Sequence, residues 1–370
     1  MTEVRRPGAS GPRGRQDGVA APPSGAPKRI DQTLEDLGPQ VAAEVRRVLA
    51  DSGLHDIATV PIDLEKLHHG HVLRARVAGD GPGGSVVLKR LDPRAAQRNR
   101  LVVQRWLPWL GLDGVVPTLL AAAAVPGVES VWQIYEDVGG EALGTHQADR
   151  KCIAAAVDLI AEIHTRAAGH PVVSECRRYG EDFGIHYLTS NVRDALSLLK
   201  ALRPPVVTPK HEALRDRLRQ RLERLLESAP RRAGTLADGG GPDTLLHGDL
   251  WAANILVLPG GERPRLRVID WDHVGAGPIT YDLSFFLSRF PAPDRPWILD
   301  RYRDAVAGAG WRLPEVPDLN LLFETAECAR CANRIIWPAI AILHDRTEWG
   351  FVELAEVEQW FEALEPVLPV

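Results

Sequence analysis

The apolar residues change period along the chain, and each change marks an element. From Leu34 to Leu49 the residues Leu34, Leu37, Val41, Val45 and Leu49 recur at helical spacing, with Asp31 placed to cap the helix and Glu35 in its first turn. After His55 the pattern becomes strand-like. Two short runs flank Leu67-His68-His69-Gly70-His71, which reads as a turn, and a second turn at Asp80-Gly81-Pro82-Gly83-Gly84 leads into Ser85-Val86-Val87-Leu88-Lys89-Arg90-Leu91. Further strand-like runs follow at Ala121 to Val125 and Val131 to Tyr135. The helical period then returns. Ile153, Val157, Ile160 and Ile163 form one stripe; Ser190 to Leu226 is helical with a break at Pro204-Pro205; Trp297 to Leu364 is mostly helical. One β-like island interrupts this region. Ile255 to Leu258 and Arg265 to Ile269 are joined by Pro259-Gly260-Gly261, so they fold back as a hairpin.

Composition narrows the classes. The chain has 370 residues, 45% of them apolar, with a formal net charge of −5. No strong electrostatic footprint for nucleic acid or an anionic membrane exists at that charge. Charge is nevertheless uneven. Residues 190–232 carry eleven Lys/Arg against five Asp/Glu, and residues 294–370 carry fourteen acids against seven arginines. The first segment is expected to be a solvated face with pairs at i,i+4. Four cysteines are few for this length and argue for a reducing compartment, and Cys328-Ala329-Arg330-Cys331 reads as two packed thiols rather than a metal or redox site. Met1 to Lys28 is rich in Gly, Pro and Arg and has no apolar core of a signal peptide; it reads as a disordered, solvated tail. No run approaches the roughly 18 apolar residues of a membrane helix. The expectation is a soluble, cytoplasmic protein.

The candidate chemistry lies in and around the hairpin. Asp249 and Asn254 precede its first strand and Asp270 ends its second, so folding brings two carboxylates and an amide to one end. Phosphoryl transfer uses such a set. Magnesium takes oxygen ligands, one or two of them from protein, which suits Asn254 and Asp270. A further carboxylate orients the attacking hydroxyl and accepts its proton, which suits Asp249. Asp272 is expected on the same face as Asp270 by strand alternation, where it holds a second ion or orients the first.

His247-Gly248-Asp249-Leu250-Trp251-Ala252-Ala253-Asn254 resembles the H-G-D-x-x-x-x-N catalytic loop of the aminoglycoside phosphotransferase and choline kinase superfamily. Ile269-Asp270-Trp271-Asp272 is similar to its metal segment, and Gly277-Pro278 with Tyr281-Asp282-Leu283 to the motif that follows. The resemblance implies a two-lobed, protein-kinase-like α/β fold with ATP and Mg2+ between the lobes. It divides the chain into a tail (1–30), a nucleotide-binding lobe with a leading helix (31–138) and a helical catalytic and acceptor-binding lobe (139–370). It gives Lys89 contact with the nucleotide phosphates, where a reading without the family is an edge-strand lysine. It gives Gly70 a phosphate-covering turn, and Glu136, Asp137 and Val138 the adenine-binding hinge. His247 and Asp282 become structural, and His164 a core-facing residue.

One departure stands out. The helix after the lysine strand ordinarily supplies a glutamate for that lysine, yet Pro93 to Leu110 contains no acidic residue; Arg100 or Gln104 falls in its neighbourhood. The favoured activity is transfer of the ATP γ-phosphoryl group to a hydroxyl of a small molecule such as an aminoglycoside-like antibiotic, amino sugar or amino alcohol. The acidic C-terminal helices would suit an amine-bearing acceptor. The alternatives are a peptide Ser/Thr kinase of a biosynthetic pathway and a nucleotide-binding pseudokinase.

Overall fold

A computed structural model describes residues 45–50, 62–68, 72–77, 84–124, 130–147 and 149–369. The tail, the start of the leading helix and Gly70 lie outside the described residues; residues 45–50 are helical. Five antiparallel strands form the first lobe: β1 (Ile62–His68), β2 (Val72–Val77), β3 (Ser85–Leu91), β4 (Leu119–Ala124) and β5 (Val131–Glu136), in the spatial order β1-β2-β3-β5-β4. Strand periodicity decides which side chain meets which layer. Val86 and Leu88 of β3 point into a core shared with Leu73, Trp132, Ile134 and the helical residues Val45, Val48 and Leu49. Val87 and Lys89 therefore occupy the opposite face, paired in register with Tyr135 and Gln133. β3 lies inside the sheet, hydrogen-bonded on both sides. The edge-strand reading of Lys89 is thereby excluded.

Helix α1 (Pro93–Leu101) follows β3. Asp92 caps it by accepting from the Arg94 and Ala95 N–H groups, and Pro93 sits at the tolerated first position. The rod continues as a π-helical turn, Val102–Trp106, and ends at Leu107–Trp109. Its buried face is Ala95, Ala96, Asn99, Val102 and Trp106.

The second lobe is helical: α2 (Arg150–Ala167), α3 (Val172–Tyr179), α4 (Ile185–Ala201), α5 (Pro209–Gly239), α6 (Thr280–Ser288), α7 (Arg295–Ala307), α8 (Val316–Asp345) and α9 (Trp349–Glu362). The stripe Ile153, Val157, Ile160 and Ile163 of α2 is buried in the main core. A second core lies among α4, α5, α8 and α9 and contains Cys328 and Cys331. Two three-stranded sheets frame the hairpin. The first orders β10 (Arg265–Val268), β9 (Ile255–Leu258) and β6 (Glu141–Ala142); the second orders β7 (Glu181–Asp182), β11 (Gly275–Gly277) and β8 (Thr244–Leu246). The hairpin pairs antiparallel from Arg265↔Leu258 to Val268↔Ile255, as its turn signal requires.

The basic and acidic segments meet. Arg217 of α5 is bidentate to Glu358 of α9 at 2.6 and 2.8 Å, Arg221 donates to the Phe361 carbonyl, and Arg232 reaches Glu324 of α8 at 2.8 Å. The expected i,i+4 pairing along residues 190–232 is replaced by pairing between helices, because α5 packs against α8 and α9 and their charges are opposite. No helix of the described residues is long and apolar enough to cross a membrane.

Candidate active site

The catalytic-loop residues are fixed by one buried carboxylate. Asp282, 1% exposed, accepts from the His247 N–H at 2.7 Å and the Gly248 N–H at 2.9 Å. Its Oδ2 also lies 3.5 Å from His164 Nε2, while His164 Nδ1 meets the Tyr302 hydroxyl at 2.9 Å. Burial alone would raise the Asp282 carboxyl; the hydrogen bond of His164, followed by the backbone N–H of His247, outweighs it and holds the pKa down. His247 Nε2 is 2.8 Å from the Ile269 carbonyl, to which it donates, and Nδ1 accepts from the Asp249 N–H at 3.3 Å. One imidazole thus ties the loop to the end of the hairpin. Gly248 has φ +84°, and a Cβ there would lie 2.0 Å from the His273 carbonyl oxygen, so only glycine lets the loop pass. His164, His247 and Asp282 are thus joined in one buried hydrogen-bonded group.

Asn254 is buried and donates to the Asp249 carbonyl at 2.9 Å, with the Asp249 carboxylate 3.4 Å away. Its nitrogen is therefore occupied by the loop, and its oxygen is the end left to face a cation. Asp249 is half-buried at the mouth of the site.

The segment after β10 departs from expectation in form. Asp270-Trp271-Asp272 is not a continuing strand. Asp270 adopts the left-handed conformation, φ 68° and ψ 56°, and Trp271–His273 is a 3₁₀ turn. The turn, rather than strand alternation, brings the two carboxylates together. A non-glycine residue held there costs on the order of 1–2 kcal/mol, the kind of strain found at functional sites. Trp271 is buried, its ring 4.6 Å from that of His247, and donates to the Val268 carbonyl at 3.2 Å. It anchors the turn.

Lys89 reaches across from the sheet. Its ammonium lies 2.5 Å from Asp270 Oδ1 and 2.6 Å from Asp272 Oδ1. Burial opposes the charge, but the two carboxylates outweigh it and raise the lysine's pKa. Burial would raise Asp270; Lys89, and to a lesser degree His247, hold it below the ordinary carboxylate range. The acid that α1 lacks is thus supplied by the other lobe. The α1 residue facing this cluster is Asn99, 3% exposed, whose amide donates to Asp272 Oδ1 at 2.7 Å and to the Ala95 carbonyl at 3.0 Å. Arg100 and Gln104 are exposed, so the neighbourhood assigned to them belongs to Asn99. A polar residue on the apolar face of α1 was the signal in the sequence. Gln133 on β5 donates to the Ala96 carbonyl at 2.7 Å and accepts from the Tyr135 hydroxyl at 2.7 Å, locking α1 to the sheet. Burial, then the charges of Asp272 and Asp270, push the Tyr135 hydroxyl up.

β5 ends at Glu136. Asp137 is pinned by Arg74 at 2.7 Å, Ser85 at 2.8 Å and the Gly139 N–H at 3.2 Å. Its side chain therefore ties β2 and β3 to the end of β5. Gly70 lies outside the described residues. Lys89, Asp270 and Asp272 meet directly, and the loop carrying Asp249 and Asn254 is tied to the neighbouring Ile269 through His247.

The donor set fits magnesium. Asp270 and Asp272 aim carboxylate oxygens at a single cation, Lys89, and Asn254, whose backbone carbonyl accepts from the Ile269 N–H at 2.9 Å, has a side-chain oxygen not used by the loop; hard oxygen donors are what that ion requires.

No curated protein is detectably similar in sequence. Solved structures are similar in fold. An aminoglycoside phosphotransferase of Streptomyces rimosus, in complex with ADP and streptomycin, is 20% identical, with 78% of this chain and 98% of that one covered and a TM-score of 0.51. An ethanolamine kinase of Plasmodium vivax is 12% identical, covering 88% and 89%, TM-score 0.58. A spectinomycin phosphotransferase, in complex with ADP and spectinomycin, is 15% identical, covering 88% and 95%, TM-score 0.58. The sequence pattern of the phosphotransferase enzyme family matches residues 63–315, which span the lysine strand, the catalytic loop and the metal segment, and the chain belongs to that family.

Proposed function

We propose that this phosphotransferase moves the γ-phosphoryl group of ATP to a hydroxyl of a small molecule. The observation that carries the reading is the ion-paired cluster joining the lobes, Lys89 with Asp270 and Asp272, one loop away from Asp249. The fold neighbours solved with ADP support a nucleotide in the cleft.

Asp249 accepts the acceptor's hydroxyl proton and orients its oxygen on the γ-phosphorus. A P–O bond forms to that oxygen, the bond to the β–γ bridging oxygen breaks, and ADP leaves. Asn254 holds the Asp249 backbone through its amide nitrogen, so base and metal ligand move as one unit. Asn254 and Asp270 would hold Mg2+, with Asp272 beside them, and the ion when bound neutralises phosphate charge. Lys89 exchanges its carboxylates for phosphate oxygens, and Asn99 keeps Asp272 in place while it does. The backbone at Glu136 to Val138 takes adenine. His247 and Asp282 fix the loop, so positioning is supplied before substrate arrives.

The test is a mass-spectrometric screen of purified protein with ATP and Mg2+ against pools of hydroxyl compounds. Wild type is expected to yield a phosphorylated product and ADP in equal amounts, and Asp249→Ala to bind ADP yet yield no product. ADP appearing without a phosphorylated acceptor from every pool contradicts the reading.

A further inference from the structure

Arg289 closes α6, and its guanidinium stacks over two rings, 5.2 Å from the centre of Trp251 and 4.4 Å from that of Phe285. Trp251 stands two residues after Asp249, so this cation lies against the loop that carries Asp249. Among the described residues the guanidinium has no hydrogen-bond or ion-pair partner. Beneath it the buried Trp251 indole N–H also finds no acceptor.

Arg289 is open to solvent, yet burial is the main influence on it and lowers its pKa, against the opposing charges of Glu327 and Asp249. Arg330, the other cation there, is fully engaged with Glu327 at 2.7 Å, Ser284 at 3.2 Å and the Tyr281 carbonyl at 2.5 Å. That pairing also occupies Glu327, whose same oxygen accepts from Ser284 at 2.8 Å. Three of the fourteen acids that the sequence offered as an amine-binding wall are also paired: Glu358 with Arg217, Glu324 with Arg232, Glu353 with Arg334. Arg289 is the cation that the Asp249 charge reaches and that has no hydrogen-bond or ion-pair partner among the described residues.

We propose that Arg289 is the specificity residue of the acceptor site and that the acceptor is a hydroxylated carboxylic acid, held by its carboxylate on the Arg289 fork with its hydroxyl at Asp249. The inference rests on the phosphotransferase reading above. A planar guanidinium preorganised by stacking binds a carboxylate through two parallel hydrogen bonds, a geometry that a lysine lacks. The same positive charge disfavours an ammonium at that position.

The experiment compares initial rates of ATP-dependent phosphorylation for three pools. One holds hydroxy acids (4-hydroxybutanoate, mandelate, gluconate), the second their methyl esters, and the third ethanolamine, glucosamine and streptomycin. Wild type is expected to favour acids over the matched esters by at least tenfold. Arg289→Gln should raise KM for the acid at least tenfold while moving kcat far less, and Arg289→Lys should restore part of the loss. Esters or amines used as well as acids would overturn the proposal, as would Arg289→Gln keeping the wild-type preference. Wild-type turnover in Asp249→Ala counts instead against the phosphotransferase mechanism, whichever acceptor is used.

Discussion

The Lys89 ammonium and the Asp270 carboxylate, 181 positions apart in the chain, meet at 2.5 Å and join the sheet lobe to the helical lobe. A lysine beside triphosphate needs an acid to fix a side chain with much rotamer freedom. Here the acid comes from the metal segment rather than from the following helix.

Removing that lysine is predicted to raise the ATP KM and lower kcat together. Lys89→Arg is predicted to rescue only part, because the fork has a different shape from an ammonium. Steady-state kinetics with ATP varied would decide this. Unchanged values in Lys89→Ala would leave the lysine without a part in nucleotide use.

Asn99 supports Asp272 through a single hydrogen bond of 2.7 Å. Asn99→Ala is predicted to lower kcat/KM for ATP by about 10-fold, the usual cost of losing an outer hydrogen bond to a ligand carboxylate. Arg100→Ala, on the exposed face, is predicted to change it less than twofold. Equal effects of the two substitutions would contradict the orientation of α1.

Much of this arrangement is legible in the chain. The hairpin is marked by its two apolar runs and Pro259-Gly260-Gly261, and folding it back necessarily brings Asp270 to Asn254 and Asp249. Asn99 is harder to read, because an asparagine on an apolar helix face declares itself only once burial is known. The clamp of Arg74, Ser85 and Asp137 depends on the register of β2, β3 and β5, which local pattern leaves open. The left-handed Asp270 is likewise invisible, since the same residues could have continued the strand. Opposite charges on residues 190–232 and 294–370 were visible as numbers, but only helix packing shows that they satisfy one another.

Asp282 gives the fold a pH dependence whose sign follows from its depressed pKa. A carboxylate with a folded pKa below its unfolded value, about 3.9, contributes its stability above that value and loses it as pH falls through the folded one. Asp282→Asn is predicted to cost about 3–5 kcal/mol near neutral pH, the range for breaking a buried charged pair. The difference from wild type, followed by urea denaturation, should be steady from about pH 7 to 5 and shrink below about pH 4. A difference that grows on acidification would refute the assignment.

Burial pushes the Cys328 thiol up to about 12 and raises that of Cys331 as well. At pH 8 both are protonated in the folded protein and unreactive. Iodoacetamide is predicted to leave them unlabelled in the native protein and to label both in urea, read by peptide mass spectrometry. Rapid native labelling of either would place α8 elsewhere.

We propose that Asp249 is the base for phosphoryl transfer. The measurement that tests it most directly is single-turnover phosphorylation of an accepted hydroxyl compound by Asp249→Ala, with ADP affinity measured on the same preparation. The account predicts a rate at least about 10²-fold below wild type with ADP affinity retained. A rate within a few-fold of wild type would contradict it.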